Sequence, residues 1–556
     1  MGKREIDTLP PLKGEYNLKS YEKVKDSFSW EKVIAGLPFS TDGKLNAAYE
    51  VIDRHVEDGY GEKMALHYVN GPEERTLTFR QVKNKTDQYA AVLKENGVHK
   101  GDRVFVFLPK TPECYISILS IIKVGAIAAP LFEAFMEDAV KDRINDCDGS
   151  LLITDSELVK RVQTEEIPSL KTILLAEEIE AADVLIPDDL VEWVDLEDGM
   201  LIHYTSGSTG KPKGVLHAHR SIAHHYQTGK WVLDIKDEDV YWCTSHPGWV
   251  TGSVYGVFAP WLNRATIVIH GGRFQAEDWY ELIESKRVSI WYSAPTAFRF
   301  LMAKGDLYKK YDLSSIRHVL SVGEPLNPEV IHWAYENWGV RVNDTWWMTE
   351  TGGHLIVNFP SENIKPGSMG RAFPGIEVGI LDEEGNKLPT GETGQLAVRA
   401  PWPGIMKEIW KNEEKYQSYF KYPGWYVSGD LAKKDEEGFV FFQGRSDDMI
   451  NSAGERIGPF EVESKLIEHD AVSEAGVIGK PDQARGEIVK AFITLNDGYT
   501  DSPDLLEDIR LFVRKELSAH AAPREIKVVE ELPKTKISGK ILRRELKQRE
   551  QLKLSV

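Results

Sequence analysis

Cysteine is almost missing. Among 556 residues only Cys114, Cys147 and Cys243 occur, and no two have CxxC spacing. Three thiols cannot staple a chain of this length, so a large secreted disulfide scaffold is excluded, and a reducing cytoplasm is the expected compartment. Positive charge is also short. Lys plus Arg number 68 against 87 Asp plus Glu, a net charge of −19. That balance argues against a nucleic-acid partner, although local cations can still hold a small phosphorylated ligand. The first residues, Met1 to Tyr16, mix charges with prolines and have no apolar core, so no secretory signal is expected there. No long apolar run is continuous. Tyr115–Phe132 is broken by Lys123, Gly125 and Pro130, which predicts a buried helix and then a strand rather than a membrane span. Internal repeats and low-complexity tracts are absent.

What is present is an ordinary globular composition, 42% hydrophobic and 28% charged. At roughly 100–200 residues per domain the length calls for at least two domains. Short apolar strands alternate with helical patterns in the first part. Val104–Leu108, Ala126–Leu131, Leu151–Thr154, Thr172–Leu175, Ile267–His270, Ile290–Ser293 and Val319–Val322 read as strands, and Glu113–Lys123 as a helix. Such alternation predicts parallel sheets covered by helices. From about residue 365 the runs Gly367–Arg371, Gly375–Leu381, Gly394–Arg399 and Gly438–Gly444 are punctuated by glycine, proline and charge, which predicts a small antiparallel barrel or sheet. Helices at Pro459–Glu468 and Asp504–Leu517 with strands at Ala475–Ile478, Ala491–Leu495 and Glu525–Val529 predict a small α+β unit at the end. The expected class is therefore α/β: a large N-terminal domain, residues 1–446, of parallel-rich sheets plus a barrel-like part at about 365–444, and a small α+β C-terminal domain, residues 447–556. Its basic run Lys534, Lys536, Lys540, Arg543, Arg544, Lys547 reads, taken alone, as a solvated helix face.

The most informative segment runs from Tyr204 through Thr205, Ser206, Gly207, Ser208, Thr209, Gly210 and Lys211 to Gly214. Glycines, hydroxyls and lysines at this density suit a polyphosphate, with backbone N–H groups as donors. No G-x-x-x-x-G-K-[ST] order is present, so it is not a Walker loop. Asp430, in a Ser-Gly-Asp turn, is a carboxylate that could accept two hydroxyls of a ribose or merely brace its own turn. Thr349 beside Glu350 is either a hard-oxygen cation site or a cap pair.

This string resembles the phosphate loop of the adenylate-forming superfamily of acyl-CoA synthetases, peptide-synthetase adenylation domains and luciferases. Six further segments match in order: Gly323-Glu324-Pro325, Asp344–Glu350, Tyr426–Asp430, Gly444–Asp448, Asn451–Arg456 and Pro533–Lys540. Pro247–Gly252 and the Trp346-Trp347 pair resemble AMP-forming acetyl-CoA synthetases in particular. The resemblance implies ATP, Mg²⁺ and coenzyme A as substrates and cofactors, and acetate as the acid, with propionate or another short acid as the alternative and the reverse reaction chemically open. It places Gly323, Glu324, Pro325, Asp344, Thr345 and Trp346 around adenine, Trp347 and Met348 also among the nucleotide contacts, Asp430 and Arg445 on the ribose, Thr349 and Arg456 on the α-phosphate, and Glu350 on Mg²⁺. Lys540 becomes the catalytic cation and Asp447 the hinge of a mobile C-terminal domain. Val250, Thr251, Val322 and Trp347 become the acyl pocket. Thr251, Ala453, Gly454, Arg514, Lys160 and Arg161 become coenzyme A contacts. Some relatives hold a cation near the equivalents of Ile467, His469 and Val472. In this sequence Met348 stands where acetyl-CoA synthetases usually have Gln, and Ala453 where Ser is common. Acylation of Lys540 by a lysine acetyltransferase, reversed by a deacetylase, would delete its charge. No nucleic acid or membrane partner is expected, and the chain is expected to be a monomer or homodimer.

Overall fold

The computed structural model describes residues 8–37, 43–206, 212–446, 448–452, 455–482, 485–534 and 541–554. Among these residues, two mixed sheets make up the larger part. The first has nine strands. Six neighbours run parallel at its centre, ordered Val342–Trp346, His318–Ser321, Ile290–Ser293, Val240–Cys243, Thr266–His270 and Met64–Asn70. Antiparallel strands close both edges. The second has seven strands, with Gly199–Ser206, Ile127–Pro130, Arg103–Phe107, Leu151–Thr154 and Thr172–Leu175 parallel, and Pro212–Ala218 and Glu408–Ile409 added antiparallel. The strands are short and apolar on both faces, as covered parallel sheets require. Val104, Phe105, Val106 and Phe107 have no exposure at all.

The helix Pro112–Lys123 starts on a proline at its first turn, where the missing N–H costs nothing, and is buried along most of its length. The strand Ile127–Pro130 follows it, so the broken apolar run is a core helix and a core strand. The interrupting Lys123 is fully buried. Its ammonium lies 2.8 Å from Asp53 and 2.6 Å from Asp87, a compensated charge cluster that a membrane span could not offer. No helix among the described residues is long and apolar enough to cross a membrane. The three cysteines are free and buried.

Beyond residue 365 an antiparallel sheet of four strands forms from Val378–Leu381, Thr393–Arg399, Trp425–Lys434 and Val440–Arg445. The expected strand at Gly367–Arg371 is reduced to Arg371–Ala372, and that piece joins the nine-stranded sheet instead. A turn at Pro366-Gly367 delays the pairing. The final unit is a five-stranded sheet built on the long hairpin Val472–Asp482 with Gly486–Leu495, covered by the helices Pro459–Ile467 and Pro503–Glu516. Among the described residues of its basic run, Arg544 is exposed and three others are paired. Arg543 clamps buried Glu463 at 2.6 Å, Lys534 pairs with Glu474 at 2.6 Å, and Lys547 approaches Asp448 at 3.4 Å. Lys536 and Lys540 lie outside the described residues, as do Asp447, Ala453 and Gly454.

Candidate active site

Three strands from two sheets meet at one side chain. The strand Trp425–Lys434 delivers Asp430 opposite Arg445 on the neighbouring strand. The carboxylate accepts from Arg445 Nη1 at 2.9 Å and from the indole Nε1 of Trp346, at the end of Val342–Trp346, at 2.8 Å. Asp430 is buried and Arg445 stays half open. A carboxylate has about four lone-pair sites, so it can accept from more donors than these two. Trp346 is therefore a donor that aims Asp430.

Trp347, next along, is buried and turned the other way. Its Nε1 faces the phenol oxygen of Tyr292 at 3.3 Å. That oxygen also meets Thr345 Oγ1 at 2.8 Å and His354 Nε2 at 2.9 Å. The His354 ring lies flat on Tyr255, with centroids 3.8 Å apart, and Tyr255 stands edge-on to Trp347. Val322 is buried at the end of its strand, and Val250 and Thr251 are half-buried in the first turn of Val250–Ser253.

The chain then turns through Met348–Glu350. Glu350 is buried, and one carboxylate oxygen accepts from the Tyr419 hydroxyl at 2.8 Å, leaving the other as a hard-oxygen donor suited to Mg²⁺. Met348 Sδ accepts from the Tyr426 hydroxyl at 3.5 Å, so the side chain that replaces the usual Gln acts as a packing element here. Tyr419 and Tyr426 are stacked, and burial raises both phenols, keeping them neutral donors.

Around the expected adenine position, Glu324 is already engaged by Thr296 Oγ1 at 2.8 Å and Arg299 at 3.0 Å. Gly323 is exposed and Pro325 half-buried. Asp344 is buried, its Oδ1 accepting from Thr345 N at 3.0 Å, and desolvation raises its carboxyl well above the usual range. Thr205 is half-buried at the end of its strand, in register with Lys213. Gly207–Lys211 lie outside the described residues, and the side chains of Ser206 and Arg456 are not described.

Other expected contacts are not brought to this place. Lys160 is paired with Glu157 at 2.7 Å within its own turn, and Arg161 donates to the backbone carbonyls of Glu133 and Phe135, tying its turn to that distant segment. Arg514 is exposed in the last turn of Pro503–Glu516. His469 is occupied: Nδ1 accepts from Ala471 N at 3.2 Å and Nε2 lies 3.2 Å from Asp508. The carbonyl of Val472 accepts from Asn496, and Ile467 ends its helix half-buried. No grouping of three His, Cys, Asp or Glu that could hold a metal occurs among the described residues. Sequence reasoning missed Tyr419, Tyr292 and His354, each tens of residues from its partner.

Residues 53–410 match the family of AMP-binding enzymes, and residues 461–540 match the AMP-binding enzyme C-terminal domain. The chain is 54% identical to an acetyl-coenzyme A synthetase of Bacillus subtilis, covering 98% of this chain and 97% of that one. It is 40% identical to an acetyl-coenzyme A synthetase of Rubrobacter xylanophilus, covering 93% and 87%. Among solved structures, an anthranilate CoA ligase in complex with anthranoyl-AMP superposes with a TM-score of 0.85 at 30% identity, covering 94% of this chain and all of that one. An acyl-CoA synthetase of Brucella canis superposes at 0.75 with 33% identity, covering 97% and 100%.

Proposed function

The chain belongs to the AMP-binding enzyme family, and we propose that it is an AMP-forming acetate–CoA ligase working through acetyl-adenylate. An acetate oxygen attacks the α-phosphorus of magnesium–ATP, forming the acetyl–O–P bond as the bond to pyrophosphate breaks. The sulfur of coenzyme A then attacks the acetyl carbon and AMP leaves, the thiol proton passing to solvent.

The first step joins two anions, so its barrier is electrostatic. Asp430, aimed by Trp346 and Arg445, is assigned the ribose diol. Thr349 is assigned the α-phosphate, and Glu350 would hold the magnesium ion. Lys540 and Arg456 bring positive charge from the C-terminal unit, with Asp447 as the hinge between a pose for adenylation and a pose that admits the thiol beside Ala453 and Gly454. Arg514 is assigned the nucleotide end of coenzyme A. Acylation of Lys540 would silence the first step alone, and mass spectrometry that finds this lysine unmodified under every growth condition would remove that control. Three buried free thiols support a cytoplasmic location.

One observation supports acetate above longer acids: the buried Trp347 indole, held by Tyr292 and walled by Tyr255. As the pocket floor it leaves little length beyond the carboxylate. A methylene that does not fit is worth about 1–3 kcal/mol, or roughly 10–200-fold. ATP- and CoA-dependent AMP release across C2 to C6 acids tests this. Acetate should be best, propionate slower, and longer acids excluded; a preference for C4 or longer would overturn the acetate reading.

A further inference from the structure

The loop that carries Thr349 and Glu350 is gripped through its backbone by a set of ring N–H groups. His217 Nε2 lies 2.8 Å from the carbonyl oxygen of Thr349, His225 Nε2 lies 2.9 Å from that of Gly352, and His224 Nε2 lies 2.8 Å from that of His354. Trp402 Nε1 donates to the carbonyl of Thr351 at 3.0 Å, and the backbone N–H of Met406 to that of Glu350 at 2.9 Å. A carbonyl can only accept, so each imidazole must carry its proton on Nε2. The donors come from the strand Pro212–Ala218, the helix Ser221–Trp231 and the segment after Ala400, three elements that pack on one side of the loop. Contact is close enough to exclude side chains from the backbone. A Cβ on Gly404 would meet His224 Nδ1 at 2.1 Å, and one on Gly352, at φ +69, would meet the Gly404 carbonyl at 1.9 Å.

We infer that His217 and His225 are positioning residues for the first half-reaction, fixing through the carbonyls of Thr349 and Gly352 where Thr349 meets the α-phosphate and where Glu350 meets magnesium. This rests on the roles proposed above for Thr349 and Glu350. A planar ring donor held by a buried element has almost no freedom to follow a drifting loop, unlike a hydroxyl or an amine on a flexible stem. All three histidines are buried, and burial pushes His217 and His224 down to about 4 and His225 well below its ordinary range, so each supplies one N–H and no charge. A displacement of an ångström at a reacting group costs on the order of 100-fold in rate.

The test compares His217→Leu and His225→Leu with His217→Gln and His225→Gln, whose side-chain amides reach the Nε2 position and keep a donor. Acetate-dependent ATP–pyrophosphate exchange is measured alongside Glu350→Gln. The Leu variants should lose about 100-fold in kcat, with the KM for acetate within about threefold, because the loop grips phosphate and metal rather than the acid. The Gln variants should recover at least a third of wild-type kcat. Equal loss in Leu and Gln variants would overturn the inference, since packing alone would then account for it; so would wild-type kcat in His217→Leu. Full exchange in Glu350→Gln would instead overturn the underlying assignment of Glu350. Should the Leu variants not fold, ¹⁵N-histidine NMR of the wild-type protein, assigned with His217→Gln, decides: an Nε2–H tautomer at His217 is expected, and a proton on Nδ1 contradicts the geometry.

Discussion

The indole Nε1 of Trp346 donates to the Asp430 carboxylate at 2.8 Å, across the boundary between the nine-stranded sheet and the four-stranded antiparallel sheet. The two residues lie 84 positions apart in the chain. Arg445 holds the other oxygen, so the carboxylate has one orientation before any ligand arrives.

Replacing Asp430 with Asn keeps the shape but turns one acceptor into a donor and removes the charge that Arg445 answers. The expected outcome is a rise in KM for ATP of about 10- to 100-fold, in line with about 1–3 kcal/mol for a lost buried acceptor. KM for acetate should move little. Steady-state kinetics with each substrate varied checks this, and a larger effect on acetate than on ATP would take Asp430 away from the nucleotide.

Trp347 and Tyr292 form the second coupled pair. Trp347→Gly should open the acyl pocket and move preference to C4–C6 acids. Tyr292→Phe removes the oxygen that Trp347, Thr345 and His354 all face. It should relax the acetate-to-propionate ratio by several-fold toward one while leaving KM for ATP unchanged. Competition assays with paired acids measure both, and an unchanged ratio in Trp347→Gly would remove Trp347 from the pocket.

Lys540→Ala should abolish acetyl-adenylate formation by roughly 100-fold or more, as loss of a preorganised charge at a developing anion does. Thioester formation from supplied acetyl-adenylate and coenzyme A should persist. Asp447→Pro should spare one half-reaction and cripple the other. Equal loss of both half-reactions in Lys540→Ala would refute its role, and a mild effect of Asp447→Pro would make that residue an ordinary linker.

Acid should unfold the protein before most carboxylates protonate. Burial lowers His203, His219, His246 and His318 to about 3, and His217 and His224 to about 4. The unfolded chain binds protons on these groups near pH 6.5 while the folded one does not, so stability is full above that pH and falls as pH drops toward 4 to 3. Each unit of depression is worth about 1.4 kcal/mol. Glu50, raised by burial to about 7, works in the opposite sense between pH 7 and 4.5, and the buried carboxyls of Asp344, Asp53, Asp234 and Glu133 are raised as well, so the decline expected is the part by which the histidines outweigh them. Urea midpoints between pH 7 and 4.5 should decline steadily with net proton uptake on unfolding. A flat profile would show that the histidines are not buried neutral.

Much of the fold is legible in the sequence because short apolar runs in covered parallel sheets have few other uses. Leu151–Thr154, Thr172–Leu175 and Ile290–Ser293 are strands over the expected residues. The strand reading at Gly367–Arg371 fails because the run begins in a turn and pairs only at its end, by an isolated bridge at Gly370 and the short strand Arg371–Ala372. The π-type turns at Tyr49–Asp53 and Val254–Phe258 leave no mark in hydrophobic spacing. At the site, a motif marks Asp430, Thr349 and Glu350, but nothing local marks what holds them. His217 meets Thr349 across 132 positions and Tyr419 meets Glu350 across 69. Taken alone the basic run near the end reads as solvated, whereas Arg543 is drawn inward by buried Glu463 on another element, a pairing that only tertiary structure creates.

Acetate labelled with ¹⁸O in both carboxyl oxygens tests the acetyl-adenylate route most directly. Attack at the α-phosphorus followed by thiolysis transfers a single carboxyl oxygen to the nucleotide, so mass spectrometry should find AMP carrying one heavy oxygen and unlabelled pyrophosphate. Label in pyrophosphate or inorganic phosphate, or AMP with no label beside labelled acetyl-CoA, would contradict it.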